Sequence, residues 1–212
     1  MGRRHVEIGE QRLDGILDVP KSATGLVIFA HGSGSSRRSP RNVHVAHSLN
    51  ARGLATLLFD LLTAAEAEDR HNVFDIPLLG GRVREAVEWS RRDDETARLA
   101  VGLFGASTGS AAALVAAAQC PRDVAAIVSR GGRPDLAGAY LPRVRAATLL
   151  IVGGADFGVL ALNEQAMARL ECEKELAIVP GAAHLFEEPG ALDRVVDLAG
   201  RWFDKHLGSA SA

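Results

Sequence analysis

The stretch Leu99-Ala100-Val101-Gly102-Leu103-Phe104-Gly105-Ala106-Ser107-Thr108-Gly109 constrains the fold more than any other part of the chain. Leu99, Val101, Leu103 and Phe104 read as a buried strand, Gly105 to Gly109 matches GxSxG, and Ser110 to Gln119 is an alanine-rich helix former. A strand, a tight turn and a helix in that order lift a serine hydroxyl above the edge of a sheet. Small residues are needed because strand and helix approach closely at a strained backbone turn. A five-residue pattern with two glycines also arises by chance, so the rest of the chain has to support it.

The flanking sequence alternates strand and helix patterns. Val6 to Ile8 and Leu13 to Val19 alternate apolar and polar residues around Gly9-Glu10-Gln11, which predicts an antiparallel hairpin at a sheet edge, ended by Pro20. Leu26 to Ala30 is continuously apolar, as a strand buried on both faces should be, and empties into the polar loop His31-Gly32-Ser33-Gly34-Ser35-Ser36. Val43 to Leu49 predicts a helix closed by Gly53, and Leu54 to Leu62 a buried strand carrying Asp60. The charged segment Thr63 to Asn72 reads as a long solvated loop, followed by a helix over Ile76 to Arg91 with Trp89 on its apolar face.

Beyond the alanine-rich helix, strands are predicted at Val124–Val128, Thr148–Val152 and Leu176–Val179. Helical segments are predicted around Leu136–Leu141, over Val159–Leu170 and over Pro189–His206, the last with Val195, Leu198, Trp202 and Phe203 at core spacing. This alternation is the signature of an α/β fold, a mostly parallel sheet with helices on both faces. One domain over residues 1–207 and a frayed tail over 208–212 are expected.

Composition narrows the function classes. A net charge of −2 leaves no global basic field, so nucleic acid is not an expected partner. Neither is a membrane: the longest small-apolar run, Ala111 to Ala118, is too short to span one, and Met1 to His5 is not the apolar core of a leader. Cys120 and Cys172 are isolated, without CxxC spacing, which suits a reduced compartment and gives no metal site. The cytoplasm is the expected location. The Walker and HExxH patterns are absent, and Gly32-Ser33-Gly34 lacks the third glycine of a dinucleotide fingerprint.

Three polar residues fall at the carboxyl ends of predicted strands, in the order Ser107, Asp156, His184. Serine has negligible alkoxide at neutral pH and needs a histidine base, which in turn needs a carboxylate to fix its tautomer. Taken singly, Asp156 could be a turn residue after Gly153-Gly154 and His184 a loop histidine; their order relative to Ser107 favours a triad. Asp135 is the rival acid, but following Pro134 it reads as an N-cap for Leu136 onward. Asp60 is expected to hydrogen-bond rim loops, and His31 to organise its own loop. For an oxyanion hole the Thr108 N–H is one expected donor and the Ser33 N–H the other, with Gly34 next in line. Arg37, Arg38, Arg41, Arg130 and Arg133 cluster in two rim segments; Arg130 and Arg37 are the candidate substrate-binding residues, which would favour a carboxylate-bearing ester or lactone.

The motifs HGSGSS, DLLT, GASTGS, SRGGRPDLA, GGAD and PGAAHLFEEPG, in this order over nearly the whole chain, resemble the α/β-hydrolase superfamily, in particular its small dienelactone-hydrolase-like members. The resemblance implies an eight-stranded sheet, a Ser107-Asp156-His184 triad and hydrolysis of a carboxylic ester or lactone without a cofactor or metal. Dienelactone hydrolases proper carry cysteine at the nucleophile position, where this chain has Ser107, which sets dienelactone itself aside as the expected substrate. Gly131 to Ala147 is too short for the lid that many members insert, so no cap domain is expected. An acyltransferase using the same acyl-enzyme and a non-catalytic scaffold are the competing readings.

Overall fold

The half-wet alternation at the start of the chain forms the expected hairpin, β1 (Gly2–Ile8) and β2 (Leu13–Val19), paired antiparallel from Gly2↔Val19 to Ile8↔Leu13. The structure is a computed structural model that describes residues 2–208; positions 209–212 of the expected tail lie outside the described residues. Every residue of the apolar run that follows, β3 (Gly25–Ala30), is buried. A helix, α1 (Pro40–Ala51), begins three residues earlier than its apolar spacing suggested, because Pro40 occupies the first turn, where its missing N–H leaves no bond unmade. The strand β4 (Ala55–Phe59) is shorter than predicted, ending before Asp60.

The largest departure from the sequence reading lies in Thr63 to Asn72. It is not a loop but two single-turn helices, α2 (Ala64–Glu68) and α3 (Arg70–Phe74). A capping box holds the first: Thr63 Oγ1 accepts the Glu66 N–H at 3.2 Å and Glu66 Oε2 accepts the Thr63 N–H at 2.9 Å. Glu66 also pairs with the buried Arg82 at 2.8 Å. Burial alone would raise the Glu66 carboxyl pKa, but the Thr63 hydrogen bond and the Arg82 charge outweigh it and hold the group below its ordinary value.

The remaining elements are α4 (Ile76–Ser90), β5 (Ala100–Ala106), α5 (Thr108–Gln119), β6 (Val124–Arg130), a kinked 3₁₀ segment (Pro134–Arg143), β7 (Ala147–Gly153), α6 (Phe157–Arg169), β8 (Lys174–Val179) and α7 (Ala191–Leu207). The eight strands form one sheet in the order β1-β2-β4-β3-β5-β6-β7-β8, parallel except at β2. On one face of the sheet Ile28, Leu57 and Leu103 pack against α4 and α5; on the other, Phe29, Phe104 and Val128 pack against α1 and α7. Phe29 and Phe104 meet with ring centroids 5.0 Å apart. The amphipathic α7 buries Val195, Trp202 and Phe203, while Leu198 is partly covered, and the Trp202 indole N–H donates to the Ala147 carbonyl at 3.2 Å.

α5 differs from the other helices in having no wet stripe: Thr108 to Ala118 are all buried, because the sheet lies on one side and α4 with the 3₁₀ segment on the other. Connections leaving β3 and β5 run to opposite faces of the sheet, since α1 and α5 lie on opposite sides. In an open parallel sheet that divergence creates a crevice at the carboxyl ends of the strands, and Ser107 stands at it.

Candidate active site

Ser107 takes φ 51° and ψ −124°, a conformation that L-residues rarely adopt. The same pair of angles recurs at Gly138 (φ 52°, ψ −120°), where the residue is glycine. Neighbouring hydrogen bonds hold the turn: the Ser107 N–H donates to the Arg130 carbonyl at 3.3 Å, and the Ser107 carbonyl accepts the N–H groups of Ser110 at 3.1 Å and Arg133 at 3.0 Å. The two motif glycines permit close backbone approach. A methyl group on Gly109 would lie 2.1 Å from the Ala30 carbonyl oxygen, and one on Gly105 2.4 Å from Ser110 Cα.

Asp156 stands at the N-cap position of α6 but does not cap the helix. Its carboxylate instead meets His184, Oδ2 to Nδ1, at 2.7 Å. The loops carrying the pair are pinned together: the Ala155 N–H donates to the Ala182 carbonyl at 2.9 Å and the Gly154 N–H to the Val179 carbonyl at 2.8 Å. Gly131 lets the His184 loop lie across the end of β6, since a methyl group there would sit 2.9 Å from the His184 carbonyl oxygen. Residues 130–133 therefore touch both Ser107 and the histidine loop. No hydrogen bond joins Ser107 Oγ to His184 among the described residues; catalytic contacts of this kind commonly tighten only around substrate.

The rival acid is placed elsewhere. Asp135 makes a bidentate pair with Arg133 at 2.9 and 2.8 Å, and the N-cap role expected for it is not taken: Arg133 occupies the cap position and no side chain caps the segment. Bidentate geometry with a guanidinium is a stronger alternative for a carboxylate than one backbone N–H.

His31 acts on its loop as expected. Its Nε2 accepts the Leu61 N–H at 3.1 Å, which leaves Nδ1 to donate to the Gly32 carbonyl at 3.0 Å. Burial lowers its pKa, favouring the neutral ring that this pattern requires. Asp60 binds the rim: it accepts the Arg37 N–H at 2.7 Å and pairs with the Arg37 guanidinium. The Ser33 N–H donates to Thr108 Oγ1 at 3.0 Å, so a hydroxyl not singled out in the sequence ties the β3–α1 loop to the start of α5. A methyl group on Gly32 would lie 3.0 Å from Ser107 Cβ, which shows how closely that loop borders the serine.

Among the described residues Arg38 is exposed without an ion pair, but the other rim arginines at the surface are paired. Arg37 is neutralised by Asp60 and by Asp14, the latter at 3.0 Å; Arg41 pairs with Glu187 at 2.9 Å and Arg133 with Asp135. Arg130 is not on the rim surface: it is 7% exposed and donates to Asn42 Oδ1 at 3.2 Å. Burial, with Arg41 nearby, pushes its pKa down to about 10. It follows the alternation of β6 to the α1 side of the sheet, which the sequence showed only as a strand end.

A cavity of about 510 Å³ lies on the β3–β4 side of the serine: Gly32, which borders Ser107, is in its wall, while Ser107, Asp156 and His184 are not. His31, Gly32, Ser33 and Arg37 contribute to its wall, as do α2 and α3; Arg130 does not. The T-x-x-E spacing of Thr63 and Glu66 was the available sequence signal for that wall. Among the described residues no group of three or more His, Cys, Asp or Glu converges to hold a metal ion, and no helix is long and apolar enough to cross a membrane. Cys120 and Cys172 are both free thiols, and burial raises the pKa of Cys120 to about 11.

A lidless eight-stranded sheet with a strained serine between β5 and α5 and an Asp–His pair beyond β7 and β8 defines an α/β hydrolase. A dienelactone hydrolase from Anabaena variabilis is 56% identical, with 97% of each chain covered and a TM-score of 0.93. The chain belongs to the dienelactone-hydrolase-like group of the α/β-hydrolase superfamily. A lidless serine hydrolase from Xanthomonas campestris shares the fold at 20% identity, with a TM-score of 0.80 over 100% of this chain and 98% of the other. A Mycobacterium tuberculosis H37Rv protein named a "putative phosphoribosyl transferase" is 55% identical over 202 residues, 95% of this chain and 46% of that protein. The chain thus spans about half the length of the curated relatives it matches. No protein-family model matches it.

Proposed function

We propose that this chain hydrolyses a carboxylic ester or lactone through an acyl-enzyme on Ser107, with His184 as base and Asp156 as its orienting carboxylate. The observation that carries this reading is the 2.7 Å Asp156–His184 contact formed in place of a helix cap, at the rim where Ser107 is strained. Bound at Nδ1 by the carboxylate, the imidazole presents Nε2 as the proton acceptor. Ser107 Oγ attacks the carbonyl carbon as its proton passes to Nε2. The tetrahedral oxyanion is held by the Thr108 N–H at the start of α5 and by the Ser33 N–H, which turns to it from Thr108 Oγ1, its acceptor at 3.0 Å before substrate binds. Collapse breaks the bond to the leaving oxygen, which takes the proton from His184, and water then reverses the sequence to release the acid.

The name carried by the mycobacterial relatives belongs to proteins about twice as long as this chain, and the match takes in 46% of their length. The site proposed here uses no cofactor or metal, and its partner is a small ester or lactone. Treatment with a fluorophosphonate followed by peptide mass spectrometry tests the reading. One adduct on the Ser107 peptide, lost in Ser107→Ala, is expected; unchanged labelling in that variant refutes it.

A further inference from the structure

The acyl-enzyme reading leaves open which part of an ester enters the cavity, and the strand order bears on it. Asp156 and His184 follow β7 and β8, on one side of β5. The cavity is built from β2, the loops after β3 and β4, and α2 to α4, on the other side. Because His184 must return its proton to the leaving oxygen, the alcohol portion has to lie on the histidine side. The carbonyl substituent that stays on Ser107 then points away from it, past Gly32, which borders Ser107 and lines the cavity.

The cavity has the chemistry of an apolar receptor. Leu13, Leu61, Leu62, Ala67, Val73 and Leu79 supply hydrocarbon wall, and about 510 Å³ falls within the size range of small-ligand clefts. Its largely buried cation, Arg37, has Asp60 and Asp14 as partners and offers no uncompensated charge to a carboxylate. We infer that this cavity is an acyl pocket, which selects esters of neutral aliphatic acids and is indifferent to the length of the alcohol. The inference rests on the acyl-enzyme at Ser107. It also reverses the preference for anionic substrates that the arginine-rich rim suggested.

The test compares p-nitrophenyl esters from acetate to hexanoate with alkyl acetates from ethyl to hexyl, using the purified chain. Specificity constants are expected to rise up to about fourfold per acyl methylene, the factor for burying one CH₂, and to vary within about twofold across the alcohols. A p-nitrophenyl succinate monoester is expected to be at least about tenfold poorer than the pentanoate, given the unpaired charge it would bury. Ala67 is exposed on a short helix, so Ala67→Trp should fold and narrow the pocket. It is expected to lower the hexanoate-to-acetate ratio at least about tenfold while Ser107 labelling by the fluorophosphonate persists. Val73→Phe should act in the same direction. A flat acyl profile in wild type, a ratio unchanged in both variants, preference for the succinate or length dependence in the alcohol series overturns the assignment while labelling keeps the acyl-enzyme intact. Absence of labelling overturns the acyl-enzyme and this assignment with it.

Discussion

Replacing Ser107 with glycine and with alanine separates the strain of the turn from the loss of the hydroxyl. Both variants remove Oγ, but only alanine keeps a Cβ at φ 51° and ψ −124°. A residue held in such a sparsely populated region costs about 1–3 kcal/mol, and glycine avoids most of that. Glycine's greater freedom in the unfolded chain opposes the gain by about 0.5–1 kcal/mol. Ser107→Gly is therefore expected to be more stable than Ser107→Ala by about 1 kcal/mol, or about 2–4 °C in Tm for a chain of this size. Urea denaturation of the two variants, with equal slopes to confirm comparable unfolding, gives the difference directly. If alanine proves equal to or more stable than glycine, the turn stores no strain and the argument from its dihedral angles fails.

Asp156→Asn is expected to lower turnover on the order of 10⁴-fold by fixing the wrong imidazole tautomer, whereas Asp135→Asn, which breaks only a partly exposed pair with Arg133, should leave turnover within about twofold. Steady-state kinetics with circular dichroism as a folding control distinguishes them, and the reverse pattern would reassign the acid. His31→Ala removes the acceptor for the Leu61 N–H and is expected to cost about 1–3 kcal/mol at pH 8. Because burial lowers the folded-state pKa of His31, the unfolded chain takes up the proton first as pH falls below about 6.5, and wild type loses stability that the variant never had. The wild-type advantage should shrink between pH 8 and pH 5 in urea titrations; a constant gap would show that His31 carries no linked proton.

Where one local preference dominated, the structure could be read from sequence. β3 has apolar residues on both faces and no other way to bury them, and α7 places Val195, Trp202 and Phe203 on one stripe. The Asp156–His184 contact was legible because chain order and strand ends together restrict which carboxylate can meet which imidazole. Competition between short-range bonds hid the rest. Charge and length made 63–72 resemble solvated loop, but the Thr63–Glu66 box and Arg82 satisfy enough polar groups to wind it into two turns. At Asp135 the contest was between a backbone N–H and a guanidinium two residues away, and periodicity carries no information about such an outcome. Arg130 and Arg37 looked alike in sequence, yet strand alternation sends one beneath the rim and Asp60 fixes the other in the cavity wall.

The helix α5, covered on all sides from Thr108 to Ala118, has a practical bearing on redesign. Each added methylene there must displace the sheet, α4 or the 3₁₀ segment, and overpacking of that kind typically costs about 1–3 kcal/mol against a total stability of about 5–15. A handful of such changes together would exhaust the margin, so randomising 108–118 throughout should return mostly unfolded chains. Ala64, Ala67 and Phe74 are exposed on α2 and α3, where new side chains meet solvent or the cavity. Diversity confined to those positions can alter what the pocket admits while the backbone beneath the serine stays where α5 holds it.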